Sequence, residues 1–113
     1  MRTLNINVDY KTKEVEGQKR LSNSELTLNY INYAVDVKYK EGLNGQIRRM
    51  YGRIQRTLEE AVEKGANKVE LEESEFEFIK DAIKDAKFPT GLARFVSAFE
   101  DELDKVNEKT STK

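Results

Sequence analysis

Four apolar residues alternate with polar ones at the start of the chain, which is the period-2 pattern of a strand buried on one face. They are Leu4, Ile6, Val8 and Tyr10. We therefore expect a strand over residues 3–10. The polar stretch that follows, residues 11–23, contains one central glycine and predicts a loose hairpin arm or a mobile loop.

Residues 24–41 fit two patterns. Alternating β-branched and aromatic residues favour a strand, while apolar residues three and four apart favour a helix. The ends of the segment decide for the helix, because Ser22 and Glu25 have the spacing of a capping box and Gly42 can end a helix in the left-handed conformation. A third strand over residues 29–40 is the alternative.

Residues 44–64 have a clear helical period. Their apolar side chains fall on one side of a helix at about 100° per residue, Asn44 is suited to cap its start and Gly65 to stop it. The apolar residues of this segment are Ile47, Met50, Tyr51, Ile54, Leu58, Ala61 and Val62.

Three more elements are expected in the remainder of the chain. Residues 68–72 predict a short strand, and the spacing of Ser74 and Glu77 predicts a capped helix that runs to about Ala86. After a turn at Pro89, one stripe of apolar residues predicts a last helix. The stripe consists of Leu92, Phe95, Val96, Phe99, Leu103 and Val106.

These elements predict a single compact domain over residues 1–106, of the α+β class and predominantly helical. We expect about four helices and a short sheet in which the N-terminal strand pairs with residues 68–72. The sheet has two strands, or three if residues 29–40 are extended. Residues 107–113 have nothing to bury, which predicts a disordered tail.

The composition removes much of the chemistry that enzymes use. The chain has no cysteine and no histidine, so it cannot form disulfides, Cys/His zinc sites or Ser-His and Cys-His nucleophiles. No pair of carboxylates stands out as an acid and a base in a cleft, and we expect neither enzymatic activity nor a cofactor. The N-terminal residues contain no apolar run long enough for a signal peptide or a membrane span, which predicts a soluble, cytoplasmic protein.

Charge is distributed unevenly along the chain. Residues 1–58 hold eleven Lys/Arg against six Asp/Glu, a net +5, while residues 59–113 hold nine against fifteen, a net −6. This asymmetry predicts a dipolar molecule that can orient a charged partner or associate head to tail or as a dimer. Alternatively, the two halves fold against each other and neutralise the field.

Four of the seven arginines lie within nine residues, and we call them the arginine cluster: Arg48, Arg49, Arg53 and Arg56. No acidic residue lies between Gly42 and Leu58. Three of the four span a sector of about 60° opposite the apolar side of their helix. Because a guanidinium group matches carboxylates and phosphates in geometry and charge, the cluster is a candidate binding surface.

We interpret the arginine cluster, together with Tyr39, as a site for a protein partner with an acidic surface. Nucleic acid is a second candidate, with Tyr30, Tyr33, Tyr39 or Tyr51 as stacking groups. The sequence pI of 5.7 and the lack of a known nucleic-acid-binding motif argue against it. The structural alternative is a solvated helix face that the acidic residues 59–77 neutralise.

Two other segments have ordinary structural explanations. The five glutamates from Glu70 to Glu77 suit a metal ion or a mimic of DNA phosphates, but they also fit exposed strand positions and the first turn of a helix. No segment follows the calcium-loop pattern, and we expect no metal site. Gly42 and Gly45 lack the spacing of a phosphate-binding loop and fit a corner between helices.

Two runs of sequence resemble the short accessory proteins of bacterial viruses and prophages: residues 43–56, LNGQIRRMYGRIQR, and residues 69–79, VELEESEFEFI. The resemblance implies a protein that occupies a surface of host or viral machinery, in the host cytoplasm. We therefore expect a non-catalytic protein-interaction module, such as a phage accessory or inhibitory protein. The alternatives are a nucleic-acid-binding protein that uses the arginine cluster and a homo-oligomeric structural or assembly protein.

Overall fold

The computed structural model describes residues 2–10 and 21–111, with the backbone alone for residues 107–111. Within these ranges it contains four α-helices, one 3-10 turn and a two-stranded antiparallel sheet. The predicted class, α+β and predominantly helical, is therefore confirmed. Most of the predicted hairpin arm or loop, residues 11–20, lies outside the described residues.

The order of the elements agrees with the predicted one. They are β1 (Arg2–Asn5), α1 (Asn23–Lys38), α2 (Gly45–Glu63), β2 (Lys68–Leu71), α3 (Glu73–Asp85), the 3-10 turn (Thr90–Leu92) and α4 (Ala93–Ser111). The segment that fitted two patterns is a helix, and the alternative third strand is not formed.

Strand β1 is shorter than predicted. It pairs with β2 in antiparallel register over its four residues. Beyond this ladder the N–H groups of Ile6 and Asn7 both donate to the carbonyl of Asn67, at 2.9 and 3.2 Å. The ladder ends there because the chain before β2 comes out of a turn at Gly65, whose φ is 71°. Burial still alternates as far as Tyr10, so the pattern predicted the buried face but not the length of the strand.

A capping box stabilises the start of α1. The Ser22 hydroxyl accepts from the N–H of Glu25, and the Glu25 carboxylate accepts from the N–H of Ser22, both at 3.2 Å, as the predicted capping box requires. After α1, Gly42 adopts a φ of 104°, a region that glycine enters without steric cost. Asn44 Oδ1 then accepts from the N–H of Ile47 at 3.0 Å and starts α2. The predicted corner between the helices is confirmed, but α1 already ends at Lys38 with Tyr39 as its C-cap, so Gly42 lies in the turn and does not cap the helix as predicted.

Helix α3 begins earlier than predicted. Its N-cap is Glu72, not Ser74, and the Glu75 carboxylate accepts from the N–H of Glu72 at 2.9 Å. The predicted box between Ser74 and Glu77 is therefore wrong. The physical reason is that β2 ends at the fully buried Leu71, so the chain enters the helix directly and turns Phe76 into the core.

The core takes side chains from both strands and from α1 to α4. Its largest fully buried apolar side chains are Phe76, Phe99, Leu4, Ile6, Ile31, Ile54, Leu58, Leu71, Ile79 and Leu103. One polar side chain, Thr27, is fully buried among them. Its Oγ1 lies 2.8 Å from the carbonyl of Ile6, 3.0 Å from that of Asn23 and 2.6 Å from the Tyr10 hydroxyl. Because threonine has one hydroxyl hydrogen, which goes to a carbonyl, Tyr10 donates to Thr27.

Helix α4 carries the predicted apolar stripe, with Val96, Phe99 and Leu103 buried. The helix continues to Ser111, into the segment predicted to be disordered. Each residue added to an existing helix forms one more hydrogen bond, and no new helical nucleus has to form. No helix in the described part of the chain is both long and apolar enough to cross a membrane.

Candidate interaction surface

Helix α2 presents the arginine cluster to solvent. Tyr51, Ile54 and Leu58 are buried on one side of the helix, and all four arginines are exposed. The helical period predicted this arrangement because positions that differ by about half a turn lie on opposite sides. The surface is therefore built on a rigid element whose other side is fixed in the core.

One of the four arginines has a carboxylate partner. Arg53 Nε lies 3.7 Å from Oε2 of Glu75, which is longer than a hydrogen bond, and 63% of the Arg53 side chain remains exposed. Arg48 Nη1 lies 3.5 Å from the carbonyl of Leu43. The ion pairs of residues 2–10 and 21–106 do not include Arg48, Arg49 or Arg56. The cluster is thus only partly neutralised by these residues.

Other ion pairs show how the basic and acidic halves of the chain meet. Arg2 binds Glu73 through two hydrogen bonds, of 2.7 and 2.5 Å, and Lys38 lies 3.0 Å from Asp85. Asp85 accepts a hydrogen bond from Lys38 and raises the pKa of that ammonium group above its ordinary value. Folding therefore brings opposite charges together across the two halves, but mostly at places other than the arginine cluster.

Tyr39 lies on a different side of α2 from Arg49 and Arg56. Its ring stacks on Phe78 of α3, with 5.7 Å between centroids and 15° between planes, and Phe78 also contacts Tyr51 at 5.8 Å. Because Tyr51 is on the core side of α2, these contacts place Tyr39 toward α3, whereas Arg49 and Arg56 point away from it. The structure does not bring Tyr39 and those arginines into one site.

The other candidate stacking groups differ in exposure. Tyr30 and Tyr51 are only 7% and 6% exposed, and burial raises the pKa of Tyr51 above its ordinary value. The Tyr51 hydroxyl donates to Asn32 Oδ1. Tyr33 is 39% exposed, but its ring packs on Phe88 at 5.1 Å between centroids. Two of the four candidate rings are therefore closed to a nucleobase.

The glutamates from Glu70 to Glu77 differ in their contacts and in their exposure to solvent. Glu73 is paired with Arg2, and Glu75 is buried. No group of three or more Asp or Glu in the described ranges has the geometry to hold a metal ion. The segment therefore has structural contacts that account for two of its carboxylates.

Gly52 is the surface residue that the sequence analysis missed. It is exposed in the middle of α2, and a Cβ placed on it would meet no atom within 4 Å. Its neighbours on the helix surface, three and four positions away, are Arg48, Arg49, Gln55 and Arg56. A glycine inside a strongly periodic helix, with arginines at these spacings, is the sequence signal that points to it.

Comparison of the chain with models of known protein families, with curated proteins and with solved structures finds no match. The function proposed below therefore rests on the geometry and charge of the arginine cluster.

Proposed function

We propose that this protein is a non-catalytic interaction module that binds an acidic surface of another protein through the arginine cluster. The observation that carries the proposal is the exposure of Arg48, Arg49 and Arg56, which form no ion pair with residues 2–10 and 21–106. Like charges three and four residues apart destabilise a helix by a few tenths of a kcal/mol per pair. A partner that supplies carboxylates removes this repulsion and gains charge-assisted hydrogen bonds.

The surroundings of the cluster favour a protein partner over nucleic acid. Proteins that bind single strands combine a basic groove with exposed aromatic rings on which bases stack. Here Tyr30 and Tyr51 are buried, and Tyr39 is stacked on Phe78. The one aromatic residue three or four positions from an arginine of the cluster in α2, Tyr51, is buried, so this helix face offers no ring for a base to stack on and suits carboxylates on another protein.

We propose that the biological role is that of a phage accessory or inhibitory protein, which occupies a surface of host or viral machinery in the cytoplasm. The support is the resemblance of residues 43–56 and 69–79 to such proteins. The first of these runs is also the segment that carries the arginine cluster.

Charge reversal of two exposed arginines of the cluster tests the proposal. We expect the variant Arg49→Glu with Arg56→Glu to lose capture of its partner from a bacterial lysate, because both side chains are exposed and unpaired in the described structure. Its stability should stay within about 0.5 kcal/mol of the parent protein. Arg94→Glu, an exposed arginine on α4, is the matched control.

The lysate is compared with and without nuclease, and the captured proteins are quantified by mass spectrometry. Capture that survives nuclease and is lost in the double variant but not in the control supports the proposal. Capture that is equal in the parent and the double variant refutes it. Capture that nuclease abolishes favours the nucleic-acid alternative, and a mass above one 13.1 kDa chain in light scattering favours the homo-oligomeric one.

A further inference from the structure

Nothing in the described structure requires a glycine at position 52. Its φ is not positive, and the space around it is open to at least a methyl group. Glycine inside a helix lowers helix stability relative to alanine, because the unfolded chain gains conformational freedom. The residue therefore weakens α2 without a compensating contact to any other residue that the structure describes.

The neighbours of Gly52 make it a bare patch of backbone bordered by positive charge. Three of the four residues next to it on the helix surface are Arg48, Arg49 and Arg56. The fourth, Gln55, is drawn toward α1 by a hydrogen bond of 3.2 Å from Nε2 to Asn32 Oδ1. Arginine positions thus border the patch toward both ends of the helix, and the Arg48 guanidinium itself extends toward the start of α2, 3.5 Å from the Leu43 carbonyl.

We propose that Gly52 is the point at which the partner lies directly on the backbone of α2, and that the partner presents an acidic helix there. This inference rests on the proposed function and specifies the chemistry of its partner. Helices pack at a distance that depends on the side chains at their crossing point, so a glycine permits the closest approach. Arg48 and Arg56 are eight residues apart, about 12 Å along the axis, which is close to the diameter of a helix with its side chains.

Charge complementarity identifies the occupant. A helix that crosses α2 at Gly52 passes between Arg48 and Arg49 on one side and Arg56 on the other. Carboxylates on both flanks of such a helix reach these guanidinium groups, while small side chains at its centre face the glycine. A helix with basic flanks is repelled, which gives the surface its specificity.

The test uses peptides selected for binding to the parent protein from a displayed library of random 18-residue sequences. We expect the selected peptides to be acidic and helix-forming, and to bind Gly52→Ala about tenfold more weakly than the parent, a loss of about 1.4 kcal/mol. The same variant should melt about 4 °C higher, because alanine favours the helix. Gly52→Leu, with a larger side chain, should bind more weakly still.

Gly91→Ala is the matched control, because Gly91 is also exposed and a Cβ there would meet no atom within 4 Å. We expect it to leave affinity unchanged. Affinity is measured by fluorescence anisotropy with labelled peptides, and melting by circular dichroism. The opposite signs of the two effects in Gly52→Ala exclude partial unfolding as the cause of weaker binding.

The outcomes separate this inference from the proposed function. Peptides that need Arg49 and Arg56 but bind Gly52→Ala as tightly as the parent overturn the inference and leave the proposed function in place. Peptides that are not acidic, or that bind the Arg49→Glu, Arg56→Glu variant equally well, overturn both. If no peptide binds, but labelled DNA or RNA oligonucleotides bind the parent more tightly than Gly52→Ala, the inference that the partner is a protein is overturned.

Discussion

The buried hydroxyl groups of Thr27 and Tyr10 allow a quantitative test of how the N-terminal segment is held on α1. Thr27→Val keeps the shape of the side chain and removes its hydroxyl. Tyr10 then has a buried donor without an acceptor, and the carbonyl of Ile6 loses its donor. Both Tyr10 and Thr27 are almost completely removed from solvent, so water does not replace the lost bonds.

Each unsatisfied buried group costs about 1–3 kcal/mol, and an ordinary hydrogen bond contributes about 1 kcal/mol net. We therefore expect Thr27→Val to lower the free energy of unfolding by roughly 3 kcal/mol. Tyr10→Phe alone should lower it by only about 1 kcal/mol, because Thr27 keeps its bond to the carbonyl of Ile6. In the Thr27→Val background the same Tyr10→Phe change should be stabilising by about 1 kcal/mol, since it removes the unsatisfied hydroxyl.

Urea denaturation followed by far-UV circular dichroism measures all four proteins of this double-mutant cycle. A loss of 3 kcal/mol lowers the urea midpoint by roughly 1.5 M for a domain of this size. Thr57→Val is the matched control, because the Thr57 hydroxyl also bonds to a helix carbonyl, that of Arg53 at 3.0 Å, but this hydrogen bond is exposed to solvent. It should change stability by less than about 0.5 kcal/mol. An equal effect of Tyr10→Phe in both backgrounds would refute the coupling of the two hydroxyls.

Two further predictions concern charge. Burial raises the pKa of Tyr10 in the folded protein, while an unfolded tyrosine titrates near pH 10; the folded state then binds more protons, so stability falls as pH rises above about 10. Urea denaturation of the parent protein should show a fall in the free energy of unfolding between about pH 9 and 11. In Tyr10→Phe this fall should be smaller by about 1.4 kcal/mol. A fall of the same size in both proteins would contradict the prediction. Arg53→Glu places a second carboxylate beside the buried Glu75, and we expect it to lower stability by about 1 kcal/mol. Thermal melts of the two variants measure this: Arg49→Glu should have less than half the effect of Arg53→Glu, and equal effects would show that Glu75 does not sense the charge at position 53.

Helices with a regular apolar period could be predicted from the sequence, because burial of one side determines them. In α1 the capping box of Ser22 and Glu25, together with burial of one side, outweighed the β propensity of the residues that follow. The length of β1 could not be predicted, since it depends on where the partner strand leaves its turn. The start of α3 depends in the same way on the burial of Leu71 and Glu75, which only packing reveals.

The candidate site shows the same division. Exposure of the arginine cluster follows from the period of α2 and was predicted. The pairing of Arg53 with Glu75 and the contact of Tyr39 with Phe78 depend on how α3 packs against α1 and α2, about which the sequence contains no local signal. The sequence alone indicates that Gly52 weakens its helix, but only the structure shows the open space around it.

The pairing of β1 with β2 has a consequence for the order of events during synthesis. Arg2 is opposite Leu71, so β1 leaves the ribosome before its partner and stays unpaired until α1, α2 and the turn after them have been translated. Until then Leu4 and Ile6, both fully buried in the finished fold, lack part of the core that buries them. Contacts between residues that are far apart in sequence form late, and they slow folding. A nascent chain stalled within α2 is therefore an unfolded, aggregation-prone intermediate and not a smaller domain.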